Sequence, residues 1–164
     1  MIIAECENDQ ALMYRLGVSS DQIRHEFGRS RVLSVVDRWE KPIPIIGVID
    51  EDPNAGRHPK INNYRLIKGS AKTVSLMRKD DLNKWIIVIP SFLEDWLCKV
   101  AKRNKVEPNS FSLPDDPVEM HKISFKRNEN AIKFLIELVK TRDDELLEFK
   151  EWLNLAVLFH LQKT

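Results

Sequence analysis

Three acids carry the clearest chemical signal in this chain: Glu5, directly after an apolar run, and Asp50 and Asp52, directly after another. An Asp-x-Asp leaving a buried strand sets two carboxylates on one side of the chain, where they can share a hard divalent cation. Mg²⁺, or Mn²⁺ in its place, suits such a pair, because it takes one or two carboxylates, keeps several waters and leaves room for substrate phosphates. If the strand before Glu5 neighbours the strand before Asp50, Glu5 enters the same space. Three crowded carboxylates repel, so either a metal neutralises them or one holds a proton and can trade it. Both outcomes suit phosphoryl-transfer chemistry. Taken alone, Asp50-Glu51-Asp52-Pro53 also reads as a turn, since Asp favours turns and helix caps. It is the three acids together that make a site.

The elements that must position these acids follow from the pattern of apolar residues. Met1 to Ala4 reads as a buried strand. Asp9 to Leu16 reads as a short helix stopped by Gly17, Asp21 to Phe27 as a second ended by Gly28, and Arg31 to Glu40 as a third, broken by Pro42 and Pro44. Ile43 to Ile49 is almost wholly apolar and β-branched, the signature of a strand covered on both faces. Tyr64 to Met77, interrupted by Gly69-Ser70, suggests two short strands or a hairpin. Trp85 to Ile89 is a second buried strand, and Phe92 to Arg103 a helix with Ser91 as its N-cap. The stretch 104–128 reads as a loop or linker, and Glu129 to Lys140 and Asp143 to about Leu161 as two further helices. The apolar coverage of the last one, which includes Leu158 and Phe159, exceeds one stripe, so it is either deeply buried or half of an interface.

Strands alternating with helices define an α/β protein with an open, mainly parallel sheet, and such sheets gather ligands at the carboxyl ends of their strands. The three acids lie at those ends.

Charge and composition exclude several classes. Among 164 residues, 26 Lys and Arg face 25 Asp and Glu, a net charge of +1, so no basic excess marks an obligate polyanion binder. Neither GxGxxG nor GxxxxGK[ST] occurs, and Gly numbers only 5. Cys6 and Cys98 form no zinc-type spacing and suggest reduced thiols in a cytoplasmic protein. The longest apolar run is far short of the roughly 20 residues of a membrane span. Arg57 and Lys60 follow the Asp-x-Asp closely enough to meet substrate phosphates, while His25, His121 and His160 read as surface or partly packed residues.

These residues resemble a family. Glu5-Cys6-Glu7-Asn8-Asp9, after a strand and before a short helix, is similar to the Glu-Gly-x-Ser/Thr-Asp/Glu opening of the topoisomerase-primase (TOPRIM) domain, and Gly47-Val48-Ile49-Asp50-Glu51-Asp52 to its Asp-x-Asp strand end. Trp85 to Ile89 followed by Phe92-Leu93-Glu94-Asp95-Trp96-Leu97 resembles a segment of the TOPRIM domains in overcoming-lysogenization-defect nucleases and related phage-defence proteins. The resemblance spans roughly residues 1–103. It implies Glu5 as acid or base for nucleic-acid phosphodiester chemistry, Asp50 and Asp52 as Mg²⁺ ligands, and Asp9 and Glu94 as second-metal or supporting carboxylates. It also implies a strand between the first motif and Asp50, where the pattern reads helical. Cys6 stands where the family has Gly, and no ATPase motif accompanies the domain. The expected activity is nuclease-like, in phage defence or DNA repair. The alternatives are a binding-only adaptor that docks a partner protein or a second copy through its C-terminal helices, and a metal-dependent nucleotide phosphohydrolase.

Overall fold

The computed structural model describes residues 1–52, 54, 56–79 and 83–161, the side chains of 157–161 excepted; Pro53 and the side chains of Leu158, Phe159 and His160 thus lie outside the described residues. Six strands form one sheet in the order β2-β1-β3-β6-β5-β4. Ile2–Ala4 (β1), Ile23–His25 (β2), Ile45–Asp50 (β3) and Lys84–Ile89 (β6) run parallel, and Arg65–Lys68 (β4) and Ser75–Arg78 (β5) complete the sheet antiparallel. The fold is therefore α/β, with a mainly parallel sheet and flanking helices, as the sequence pattern implies.

Strand periodicity divides the core into two layers. On one face Ile2, Ala4, Ile46, Val48, Ile87 and Ile89 meet Glu7–Arg15 (α1), Leu93–Arg103 (α3), Glu129–Lys140 (α5) and Asp144–Leu161 (α6) in one apolar cluster. On the other, Ile3, Ile45, Ile49, Ile86 and Val88 meet Val32, Leu33 and Val36 of Arg29–Asp37 (α2). Gly47 faces that helix too. A Cβ there would stand 2.8 Å from Val32 Cγ1 and 3.0 Å from Val36 Cγ2, so the missing side chain lets α2 lie close on the sheet.

One expectation is corrected and a second gains detail. The segment from Asp21 to Phe27 is not a helix: after a 3-10 turn at Ser20–Gln22, Ile23–His25 pairs in parallel with Ile2, Ile3 and Ala4. Three residues are too few to display a strand period, and pairing with β1 decides their conformation. This supplies the strand that the helical pattern hid. The stretch 104–128, read as a loop or linker, is packed onto the core. It holds a 3-10 turn at Pro108–Phe111 and the short helix Pro117–His121 (α4), and it buries Leu113, Met120 and Phe125 in the larger cluster.

Helix ends also differ in detail. Asp9 lies within α1 and not at its start: Cys6 is the N-cap, its Sγ accepting the Asp9 N–H while Asp9 Oδ2 accepts the Cys6 N–H in a capping box. Cys6 has φ −142°, ordinary extended backbone, so nothing in the main chain there demands Gly. The N-cap of α3 is Phe92 and not Ser91, and a distant side chain takes over the capping role there.

Candidate active site

A β2-β1-β3-β6 order means that the chain leaves β1 toward one neighbour and returns on its other side. The crevice at such a switch point, beyond the carboxyl ends of β1 and β3, is where open α/β sheets bind ligands. Here it opens into a cavity of about 730 Å³ lined by Glu5, Arg29, Asp50, Asp52, Phe92 and His121, among others. Phe27, Ser30, Arg31 and Val118 extend its walls.

Glu5 sits between β1 and α1 and is held by main chain on both sides. The Arg29 N–H donates to its Oε1 at 2.9 Å and the Asp50 N–H to its Oε2 at 3.0 Å. The side chain thereby ties the start of α2 to the end of β3. Burial raises its pKa despite these two bonds. Asp50 closes β3, and its Oδ2 accepts the Leu93 N–H at 3.1 Å, capping α3. Its other oxygen, Oδ1, is buried without a partner. Burial, then the charges of Asp9 and Glu5, push the Asp50 carboxyl well above the ordinary range. Asp9, 1% exposed, repeats the pattern: Oδ1 is buried and unpartnered, and burial, reinforced by Glu5 and Glu94, pushes its pKa up to about 7. Asp52 lines the cavity, and its Oδ1 accepts the Asn54 N–H.

Glu94 comes from the first turn of α3 and is 1% exposed. Its Oε1 accepts from Asn8 Nδ2 at 2.7 Å, and its Oε2 lies 2.9 Å from His121 Nδ1. Both oxygens of Glu94 are therefore engaged.

The predicted residues therefore separate. Glu5, Asp50 and Asp52 line the cavity, and Asp9 and Glu94 lie behind it close enough to bear on the Asp50 charge. Arg57 and Lys60 are not among the described residues that line it. Lys60 instead reaches Ser34 Oγ at 3.0 Å and, at 3.6 Å, the carboxylate of Asp37 at the C-terminal end of α2. The cations on the cavity are Arg29 and Arg31, at the start of α2, and Arg29 has a buried Nη1 with no partner. Sequence reasoning missed both arginines along with His121, since only the placement of α2 and α4 brings them to the acids.

No three His, Cys, Asp or Glu side chains among the described residues already surround one metal position. The chemistry of the donors nevertheless fits a hard cation: buried carboxylate oxygens facing no hydrogen-bond donor are what such an ion satisfies. Asp50 and Asp52 could hold it, with Glu5 beside them. Compared with family models, curated proteins and solved structures, the chain matches none. The fold and cavity define an α/β protein with an acidic crevice at the switch point of its sheet. No helix among the described residues is long and apolar enough to cross a membrane.

Proposed function

We propose that this protein is a TOPRIM-like, divalent-cation-dependent enzyme that hydrolyses nucleic-acid phosphodiesters in the cytoplasm. The observation that carries this reading is the pair of buried, unpartnered carboxylate oxygens, Asp50 Oδ1 and Asp9 Oδ1, behind a cavity that also presents Arg29 and Arg31. A binding-only adaptor leaves that electrostatic cost without a purpose, since like charges packed at a strand end destabilise the fold unless a ligand offsets them.

Asp50 and Asp52 would hold Mg²⁺ or Mn²⁺, and the ion would supply positive charge to the phosphate oxygens and lower the pKa of bound water. The chain does the rest. Arg29 and Arg31 draw the phosphate to the cavity mouth, and Arg29 has an unmet donor for a phosphate oxygen. Glu5, fixed by two main-chain N–H groups and held above the usual carboxylate range, is placed to accept a proton from an attacking water. Asp9 and Glu94 lie behind the site, close enough to bear on the Asp50 charge.

Single- and double-stranded DNA and RNA, and a panel of nucleotides, incubated with Mg²⁺ or Mn²⁺ test this beside Asp50→Ala. Cleavage by the wild type alone supports it. Turnover of nucleotides but no polymer moves the assignment to a nucleotide phosphohydrolase, and no metal-dependent product from any substrate sinks the enzyme reading.

A further inference from the structure

His121 has a built environment that a solvated surface histidine does not need. Its side chain is 61% exposed and lines the same cavity as Glu5 and Asp50, yet its Nδ1 lies 2.9 Å from Oε2 of a carboxylate that is 1% exposed. Burying Glu94 costs solvation, and the fold offsets that with two aimed donors, one of them this imidazole. The second, Asn8, is itself fixed: its Oδ1 accepts the Phe125 N–H at 2.9 Å, and its Nδ2 also donates to the Ile123 carbonyl at 3.0 Å. Phe92 meets the His121 ring edge-on at 5.9 Å between centroids and sets its plane. Four separate pieces of chain, α1, α3, α4 and the turn after it, thus converge on the orientation of one exposed ring.

A carboxylate accepts and cannot donate, so Nδ1 carries a proton in this pair and Nε2 is the nitrogen left for the cavity. A ring nitrogen oriented by a buried acid is the arrangement from which general acids and bases work. Glu5 lines the same cavity and is already given the water's proton, which leaves the opposite proton transfer unassigned.

We propose that His121, oriented by Glu94, is the general acid that protonates the leaving oxygen of the phosphodiester. The inference rests on the phosphodiester reading of the same cavity. The step balances: the water oxygen bonds to phosphorus as its proton passes to Glu5, the bond from phosphorus to the leaving oxygen breaks, and the proton on His121 Nε2 passes to that oxygen. The imidazole is left neutral with its Nδ1–H still on Glu94. Solvent then returns a proton to His121 and takes one from Glu5. The role falls to a residue outside the segment with the TOPRIM-like motifs.

The test compares two phosphodiesters, each with a single negative charge on the phosphate that reacts. One is a short nucleic-acid strand, whose sugar leaving group needs a proton; the other is the p-nitrophenyl ester of thymidine monophosphate, whose leaving group departs without one. His121→Ala should cut cleavage of the strand by about 10²-fold or more and of the aryl ester by less than about tenfold. Imidazole in the buffer should restore part of the loss. Glu94→Gln should show the same selectivity, more weakly, and His121→Ala should bind Mn²⁺ as the wild type does in calorimetry. Equal losses on both esters, or none, would overturn the dyad while leaving the phosphodiester reading intact. A wild type that cleaves neither ester overturns that reading and the dyad with it.

Discussion

Asp50 Oδ2 accepts the backbone N–H of Leu93 at 3.1 Å, so the carboxylate that ends β3 also starts α3. Structural and chemical demands on Asp50 therefore oppose one another. One oxygen stabilises a helix, and the other is buried among acids without a partner.

Replacing Asp50 by Asn separates the two demands. The amide oxygen can still cap α3, while the charge that Asp9 and Glu5 repel is gone. In metal-free buffer at pH 8, Asp50→Asn should melt several degrees above the wild type, at roughly 2–4 °C per kcal/mol for a chain of this size. Its stabilisation by added Mn²⁺ should vanish. Asp50→Ala relieves the same repulsion but loses the cap, worth about 1 kcal/mol, and should melt below the Asn variant. An Asn variant less stable than the wild type in chelator contradicts the electrostatic conflict.

The same conflict has a pH signature. Asp9 titrates near 7 in the fold, against an ordinary value of 3.8, and Asp50 and Glu5 are raised as well. A folded-state pKa above the unfolded one gives stability that is complete below about pH 4 and is lost as pH rises through about 7. Asp9 alone accounts for up to about 4 kcal/mol of this. Acids whose pKa is lowered in the fold, Asp37, Asp95 and Asp143, act only at lower pH and leave the window from 5 to 8 to the raised group. Thermal melts in chelator should fall steadily across that window, and saturating Mg²⁺ should flatten them. Asp9→Asn isolates the acid's share from the opposite contributions of the Met1 amino group and His58, whose pKa values are lowered. A wild-type curve that rises from pH 5 to 8 removes the argument.

What the sequence made legible here, and what it hid, follows from the range of the forces involved. β3 and β6 are long, β-branched and buried on both faces, so composition alone reveals them, and Glu5, Asp50 and Asp52 follow as strand-end acids. β2 is three residues long, and its state is decided by hydrogen bonds to β1, which no local pattern contains. Glu94 and His121 lie 27 positions apart, on helices whose meeting depends on how the 104–128 stretch folds back over α3. Arg57 and Lys60 are near Asp52 in sequence, yet Lys60 is drawn to Asp37, because charge follows distance in space. The pattern of apolar residues thus carries the sheet and its edge, while the cations and the imidazole of the cavity are tertiary facts.

Gly47 tests how tightly the site depends on the packing of α2. An alanine there meets Val32 and Val36 at 3.0 Å or less, and overpacking of this kind costs about 1–3 kcal/mol. The strain acts on the helix whose first N–H holds Glu5 and whose first turn carries Arg29 and Arg31. Gly47→Ala should therefore lower the melting temperature by several degrees and weaken Mn²⁺ binding together. Unchanged stability would mean that α2 can shift freely, and Glu5 is then not held by it.

Arg103 anchors the far end of the helical layer. Its Nε and Nη2 donate to the two oxygens of Asp143 at 2.6 and 2.5 Å, and its Nη1 to Glu145 Oε1 at 2.8 Å. Glu145 Oε2 in turn accepts from Trp96 Nε1 at 3.0 Å and from the Val74 N–H at 3.2 Å, so one guanidinium links α3, the start of α6 and the approach to β5. The Asp143 side chain is 6% exposed, and its pKa is lowered as the Arg103 and Asn104 bonds outweigh its burial. Arg103→Ala leaves that carboxylate with Asn104 and backbone donors alone and should cost about 2 kcal/mol, below the 3–5 of a fully buried pair because the arginine is partly exposed. Lysine cannot reproduce the two-pronged contact and should restore less than half of the loss. The losses should appear in urea melts at pH 7 and shrink progressively as pH falls below about 4 toward the lowered pKa of Asp143. A loss that persists unchanged at pH 3 would assign the effect to the packing of the arginine stem, and the ion pair would then not be what holds α6 to the sheet.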